Sequence, residues 1–145
     1  MNQIFADIHV GRKNIIFGIA LFLIHGVLMG IPLTINFFGG SVLTLDEYQT
    51  WKVVHGYGIF LGFINYFFGL IIDRLNLTHQ QKEIASWSIL AAGLFGGVVR
   101  MILALLSALE DFGLYASLGE AAFITLGTIV FLFGQIRGRQ NRLAA

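Results

Sequence analysis

Four apolar runs of membrane-crossing length, joined by short polar connectors, fill most of this 145-residue chain and leave few folds open to it. A bilayer core about 30 Å thick is crossed by a helix of about 20 apolar residues. The runs at about 14–37, 53–73, 84–106 and 114–136 each reach that length. A transmembrane β-barrel needs alternating segments of about ten residues, and the sequence has no such pattern. The first run is too long for a signal-peptide core and lacks a small-residue cleavage site, so it is expected to be retained. These features predict an all-α integral membrane protein, an antiparallel four-transmembrane-helix bundle forming a single domain over residues 1–145.

Composition narrows the function classes. The chain is 57% hydrophobic and 12% charged, against roughly a quarter charged in soluble domains. With 18 glycines, 14 phenylalanines and one proline, it suits closely packed membrane helices. The absence of cysteine removes disulfides, thiolate metal sites and a cysteine nucleophile. A net charge of +1 gives no reason to expect a nucleic-acid partner. Lipid is the expected surrounding.

Orientation follows from the basic residues. Arg12 and Lys13 precede the first run, Arg74 and Lys82 flank the second connector, and Arg137, Arg139 and Arg142 follow the fourth run. The other side has only Lys52. This asymmetry predicts that both termini are cytoplasmic; a bacterial or archaeal cytoplasmic membrane is the expected location. Tyr48, Trp51 and Tyr115 suit the outer interface and Trp87 the inner one. The sequon Asn76–Thr78 falls on the expected cytoplasmic side and carries no weight there.

Ionisable residues inside a membrane are costly, which makes His25, His55, Arg100 and Glu120 the functional suspects. Arg100 and Glu120 each lie six residues from an outer end of their runs, about 9 Å deep. At matched depth they form either an interhelical ion pair or, through Arg100, a seat for an anionic ligand group. His55 is expected within a turn of the outer surface. His25 is expected near mid-membrane, about three turns away, its ring bonded to a backbone carbonyl. Asp73 is expected only to solvate a helix end.

Gly58, Gly62 and Gly69 follow His55 on one helical face, and Gly93, Gly97 and Arg100 repeat the spacing on the third run. Such faces let helices approach closely. A face of small residues beside a histidine also suits a flat macrocycle held by an axial imidazole, with Arg100 and Lys52 on the right side for propionates.

The opening of the second run, Trp51-x-x-x-His55 with Tyr57–Gly58, resembles that of the styrene oxide isomerase family of small four-helix membrane enzymes. "INFFGG" at Ile35–Gly40 and the spacing of the second and third runs extend the likeness over about residues 14–136. The resemblance implies haem b held between the subunits of a trimer, with His55 as the iron ligand; the reading of the glycine face places Gly58, Gly62 and Arg100 beside the cofactor. It implies that ferric haem acts as a Lewis acid, isomerising a small lipophilic epoxide to an aldehyde. The family's catalytic Tyr, Asn and Asp correspond to Arg100, Leu61 and Ala92 here. Arg100 and Asn65, the latter one turn further along the second run, stand as the catalytic candidates. Two other readings remain open: a haem protein that senses gas or carries electrons, and a cofactor-free membrane subunit with a structural Arg100–Glu120 pair.

Overall fold

The computed structural model describes residues 9–107 and 109–143, with side chains as far as Arg137. Arg139 and Arg142, expected at the inner end, lie outside the residues whose side chains are described. Four helices, α1 (Arg12–Phe37), α2 (Leu45–Arg74), α3 (His79–Leu105) and α4 (Leu109–Leu143), make up the fold, and no strand occurs among the described residues. All four are long and apolar enough to cross a membrane.

Local chemistry sets where the helices begin. Thr44 caps α2 in a reciprocal box with Glu47, and Thr78 caps α3 in the same way with Gln81. Each box satisfies backbone donors that a helix start leaves unpaired. The α2 cap places the helix start eight residues ahead of the apolar run at 53. The start of α1 has no side-chain cap of its own. Asp73, at the end of α2, instead accepts the backbone N–H groups of Val10 at 3.1 Å and Gly11 at 3.0 Å. A carboxylate at a helix N-terminus also opposes the positive end of its dipole. Asp73 therefore ties two helices together and does more than solvate an end.

Small residues bring α1 and α2 together. Gly11 packs on the backbone of Gly69, and Gly18 on that of Gly62. Each rung is seven residues from the next on both helices, the repeat of helices that wrap closely around one another. α1 also touches α3, α2 lies against α3, and α4 packs mainly on α3. Phe68 of α2 reaches Phe131 of α4 with ring centroids 6.1 Å apart. At one end of the fold a buried cluster, including Val10, Ile72, Ala85 and Ile89, closes the core.

Beneath that cluster sits a polar knot. Asn14 donates to Asn65 Oδ1 at 3.1 Å and to the Ser86 carbonyl at 2.9 Å. Asn65 donates to the carbonyls of Leu61 and Ile89 at 3.1 and 3.2 Å. The Ser86 hydroxyl bonds to Asn14. Burying polar groups is costly unless they are partnered, and these are. Lys13 pairs with Glu83 and lies 4.8 Å from the Trp87 ring. Most large apolar side chains face outward, from Ile16 and Phe22 on α1 to Leu132 and Phe133 on α4.

Candidate functional site

The early start of α2 sets the position of His55. Ten residues of helix precede it, about 15 Å of rise, while Phe37 ends α1 twelve residues after His25, about 18 Å. Running antiparallel, the two histidines come level. His55 Nδ1 lies 2.8 Å from the backbone oxygen of His25. The expected three-turn separation is therefore corrected. The hydrogen bond to a carbonyl also belongs to the other histidine: the ring of His55 makes it, to the backbone of His25.

A carbonyl oxygen only accepts, so Nδ1 of His55 carries the proton; in the neutral ring Nε2 then keeps its lone pair, and it has no hydrogen-bond partner among the described residues. His55 lines a groove of about 790 Å³ along the outer side of α1 and α2, with Gly26, Gly30, Phe37, Phe38, Tyr48 and Ile59 among its walls. That size falls within the range of ligand clefts, about 300–1,000 Å³. Gly26 leaves one wall without a side chain, with open space where a Cβ would stand. A ring nitrogen anchored on one side and free on the other is the usual state of a metal-ligating imidazole. These residues fit a haem: one free imidazole nitrogen, a wall lacking side chains and apolar surroundings. Among the described residues no group of three His, Asp or Glu side chains could hold a bare metal ion. A haem needs only the axial ligand, because the macrocycle supplies the other nitrogens.

The remaining sequence candidates lie elsewhere. Gly58 and Gly62, expected to flatten a face for a macrocycle, are buried under α1. A Cβ on Gly58 would overlap the His25 ring, and one on Gly62 would stand 3.0 Å from the Gly18 oxygen. The glycines beside His55 in the groove are Gly26 and Gly30 of α1, which only the pairing of α1 with α2 reveals.

Arg100 is 6% exposed. Its Nη2 donates to Glu120 Oε2 and to the Ser117 hydroxyl, both at 2.9 Å. Its guanidinium lies 4.1 Å from the centre of the Tyr57 ring. Gly96 clears the space for the carboxylate, since a Cβ there would stand 2.6 Å from Glu120 Oε2. Arg100 is thus occupied within the fold, as the ion-pair reading expects. Lys52 lines a separate groove of about 590 Å³ with Gly56, Tyr57 and Phe60. Asn65 is fully used in the knot with Asn14. Neither catalytic candidate lines the groove beside His55, where Tyr48 stands among the walls instead.

His25 itself is fully buried, and neither ring nitrogen has a hydrogen-bond partner among the described residues. Its ring is pressed between Gly58 of α2 and Gly97 of α3. Both α1 and α3 widen into π-helical turns, at Ile24–Met29 and Leu94–Val99.

No protein-family model, curated protein or solved structure matches this chain. The described residues form an all-helical fold with four helices of membrane-crossing length.

Proposed function

We propose that this chain is an integral membrane protein that binds haem b through His55 Nε2 in the groove between α1 and α2. The observation that carries the reading is the hydrogen bond from His55 Nδ1 to the His25 carbonyl, which leaves Nε2 free beside an apolar groove. The described basic residues Arg12, Lys13, Arg74, Lys82 and Arg137 belong to the helix ends and connector at one end of the fold, which supports an insertion with both termini cytoplasmic. A groove open to lipid also suits a small homo-oligomer, with the trimer implied by the styrene oxide isomerase resemblance.

Bound there, ferric haem supplies a Lewis acid for an epoxide oxygen. The chain's own residues do the rest. His55 would hold the iron, and Phe37, Phe38 and Ile59 would give the groove apolar walls beside the water-sensitive cation that epoxide opening develops. Tyr48 stands at the groove wall, and a lipophilic epoxide arrives from the bilayer. A second reading is favoured by the placement of Arg100 and Asn65 away from the groove: haem binding for gas sensing or electron transfer, without isomerisation.

The test is an absorption spectrum of the purified protein in mild detergent after incubation with hemin. A Soret band near one haem per chain is expected, lost in His55→Ala and kept in His25→Ala, which retains the backbone carbonyl. A protein that stays colourless, or a His55→Ala protein that retains haem, sinks the assignment. Conversion of an aryl epoxide to its aldehyde then separates the isomerase from the second reading.

A further inference from the structure

We infer that the π-helical turn of α1 is a positioning device for His55, in which the backbone of His25 fixes the imidazole proton and Gly30 keeps the ring seated. Its purpose rests on the reading of His55 as an axial ligand, but its geometry is testable on protein without haem.

The turn shows the device in its hydrogen bonds. In a regular α-helix the carbonyl of His25 would receive the N–H of the residue four positions on. Here it receives the N–H of Gly30, five positions on, as well as Nδ1 of His55. A π-turn carries one extra residue and breaks the regular ladder locally, and such turns recur at functional sites. One main-chain oxygen thereby serves two donors from two helices.

The seam between α1 and α2 explains why the imidazole reaches it. Gly11 meets Gly69 and Gly18 meets Gly62. The next rung of the same antiparallel register is His25 with His55. Two rungs without side chains draw the helices so close that a side chain of α2 spans to the main chain of α1. The π-turn falls at this third rung, where side chains replace glycines.

Gly30 completes the arrangement. A Cβ there would stand 3.3 Å from His55 Cε1 and 3.9 Å from Nδ1. The first distance is tighter than ordinary packing, so the ring would have to give by a few tenths of an ångström. Cε1 lies between the two ring nitrogens, and displacing it moves Nε2 as well as Nδ1. Gly56, by contrast, has open space where its Cβ would stand.

The consequence is chemical. A neutral imidazole carries its proton on either nitrogen, and only the form with Nδ1 protonated offers a lone pair on Nε2. The His25 carbonyl selects that form before any ligand arrives, and its hydrogen bond strengthens Nε2 as a donor.

Nitrogen-15 NMR of His55 in the haem-free protein tests this, followed by hemin titration. The proteins compared are the parent, Gly30→Ala, a deletion of Val27 that restores α-helical spacing, and Gly56→Ala as the control. The parent and Gly56→Ala should show the proton on Nδ1. Gly30→Ala and the deletion should show mixed tautomers and bind hemin about 10- to 100-fold more weakly, the usual effect of losing such a partner. A parent protein with the proton on Nε2 overturns the inference, as do Gly30→Ala and deletion proteins with unchanged tautomer and affinity. The two readings fail separately. An Nδ1 proton lost in Gly30→Ala, with no hemin bound by the parent, sustains the positioning and sinks the haem reading. Equal hemin binding through His55 in all four proteins does the reverse.

Discussion

Replacing Glu120 by Gln removes a charge from the interior while almost keeping its shape, so it isolates the electrostatic part of the Arg100 pair. At 2.9 Å and an effective dielectric constant of about 20, the attraction is about 6 kcal/mol before desolvation is counted. Desolvation offsets much of it, but removing one partner leaves the other buried and uncompensated, which costs about 3–5 kcal/mol. Glu120→Gln should fall near 3 kcal/mol, because the amide oxygen still accepts from Nη2 and the Ser117 and Tyr57 contacts remain. The double variant Arg100→Met with Glu120→Leu should return to within about 1 kcal/mol of the parent, since apolar replacement of a buried pair is often neutral or better. Unfolding in mixed micelles, followed by the fluorescence of Trp51 and Trp87, reads both values. Additive losses in the double variant would refute the pairing, because two residues that stabilise each other must show coupling. A double variant that is stable yet no longer retains hemin would assign Arg100 to a ligand instead.

Two further outcomes follow from the packing. Gly58→Ala should destabilise the fold by about 1–3 kcal/mol through overlap with the His25 ring; in a His25→Ala background most of that loss should vanish in the same unfolding assay, and an undiminished loss would place the clash elsewhere. Asn65→Ala removes a partner from Asn14 and should destabilise by about 2–4 kcal/mol, with two vacated carbonyls and the lost packing adding to the effect; a protein of parental stability that lost only turnover would return Asn65 to the catalytic candidates.

The length and spacing of the apolar runs were sufficient to predict four long helices, because hydrophobic length and helical rise are local properties of the chain. The match of Arg100 to Glu120 was legible from the apolar runs, since each charge stands six residues from the facing end of its run and so at a depth that lets the two pair. The start of α2 was equally local. The stretch Thr44–Glu47 spells a capping box, and taking the apolar edge at 53 as the helix end misplaced His55 by two turns. The seven-residue spacing of Gly11, Gly18 and His25 is also visible in the sequence, and it mirrors Gly69, Gly62 and His55.

What those spacings could not specify is which face of which helix meets which partner. Glycine lets helices approach without naming the neighbour, so Gly58 and Gly62 were open to a macrocycle or to α1 until α1 was seen lying on them. The polar knot joins residues 14, 65 and 86 from three helices, and no local pattern links them. The π-turn at Ile24–Met29 likewise has no signature in composition. The sequence by itself determined that helices form, how long they are and where their charges stand. Tertiary structure decided that His25 gives its backbone, rather than its ring, to His55, because a main-chain oxygen becomes a ligand's anchor only when a second helix comes within hydrogen-bonding distance.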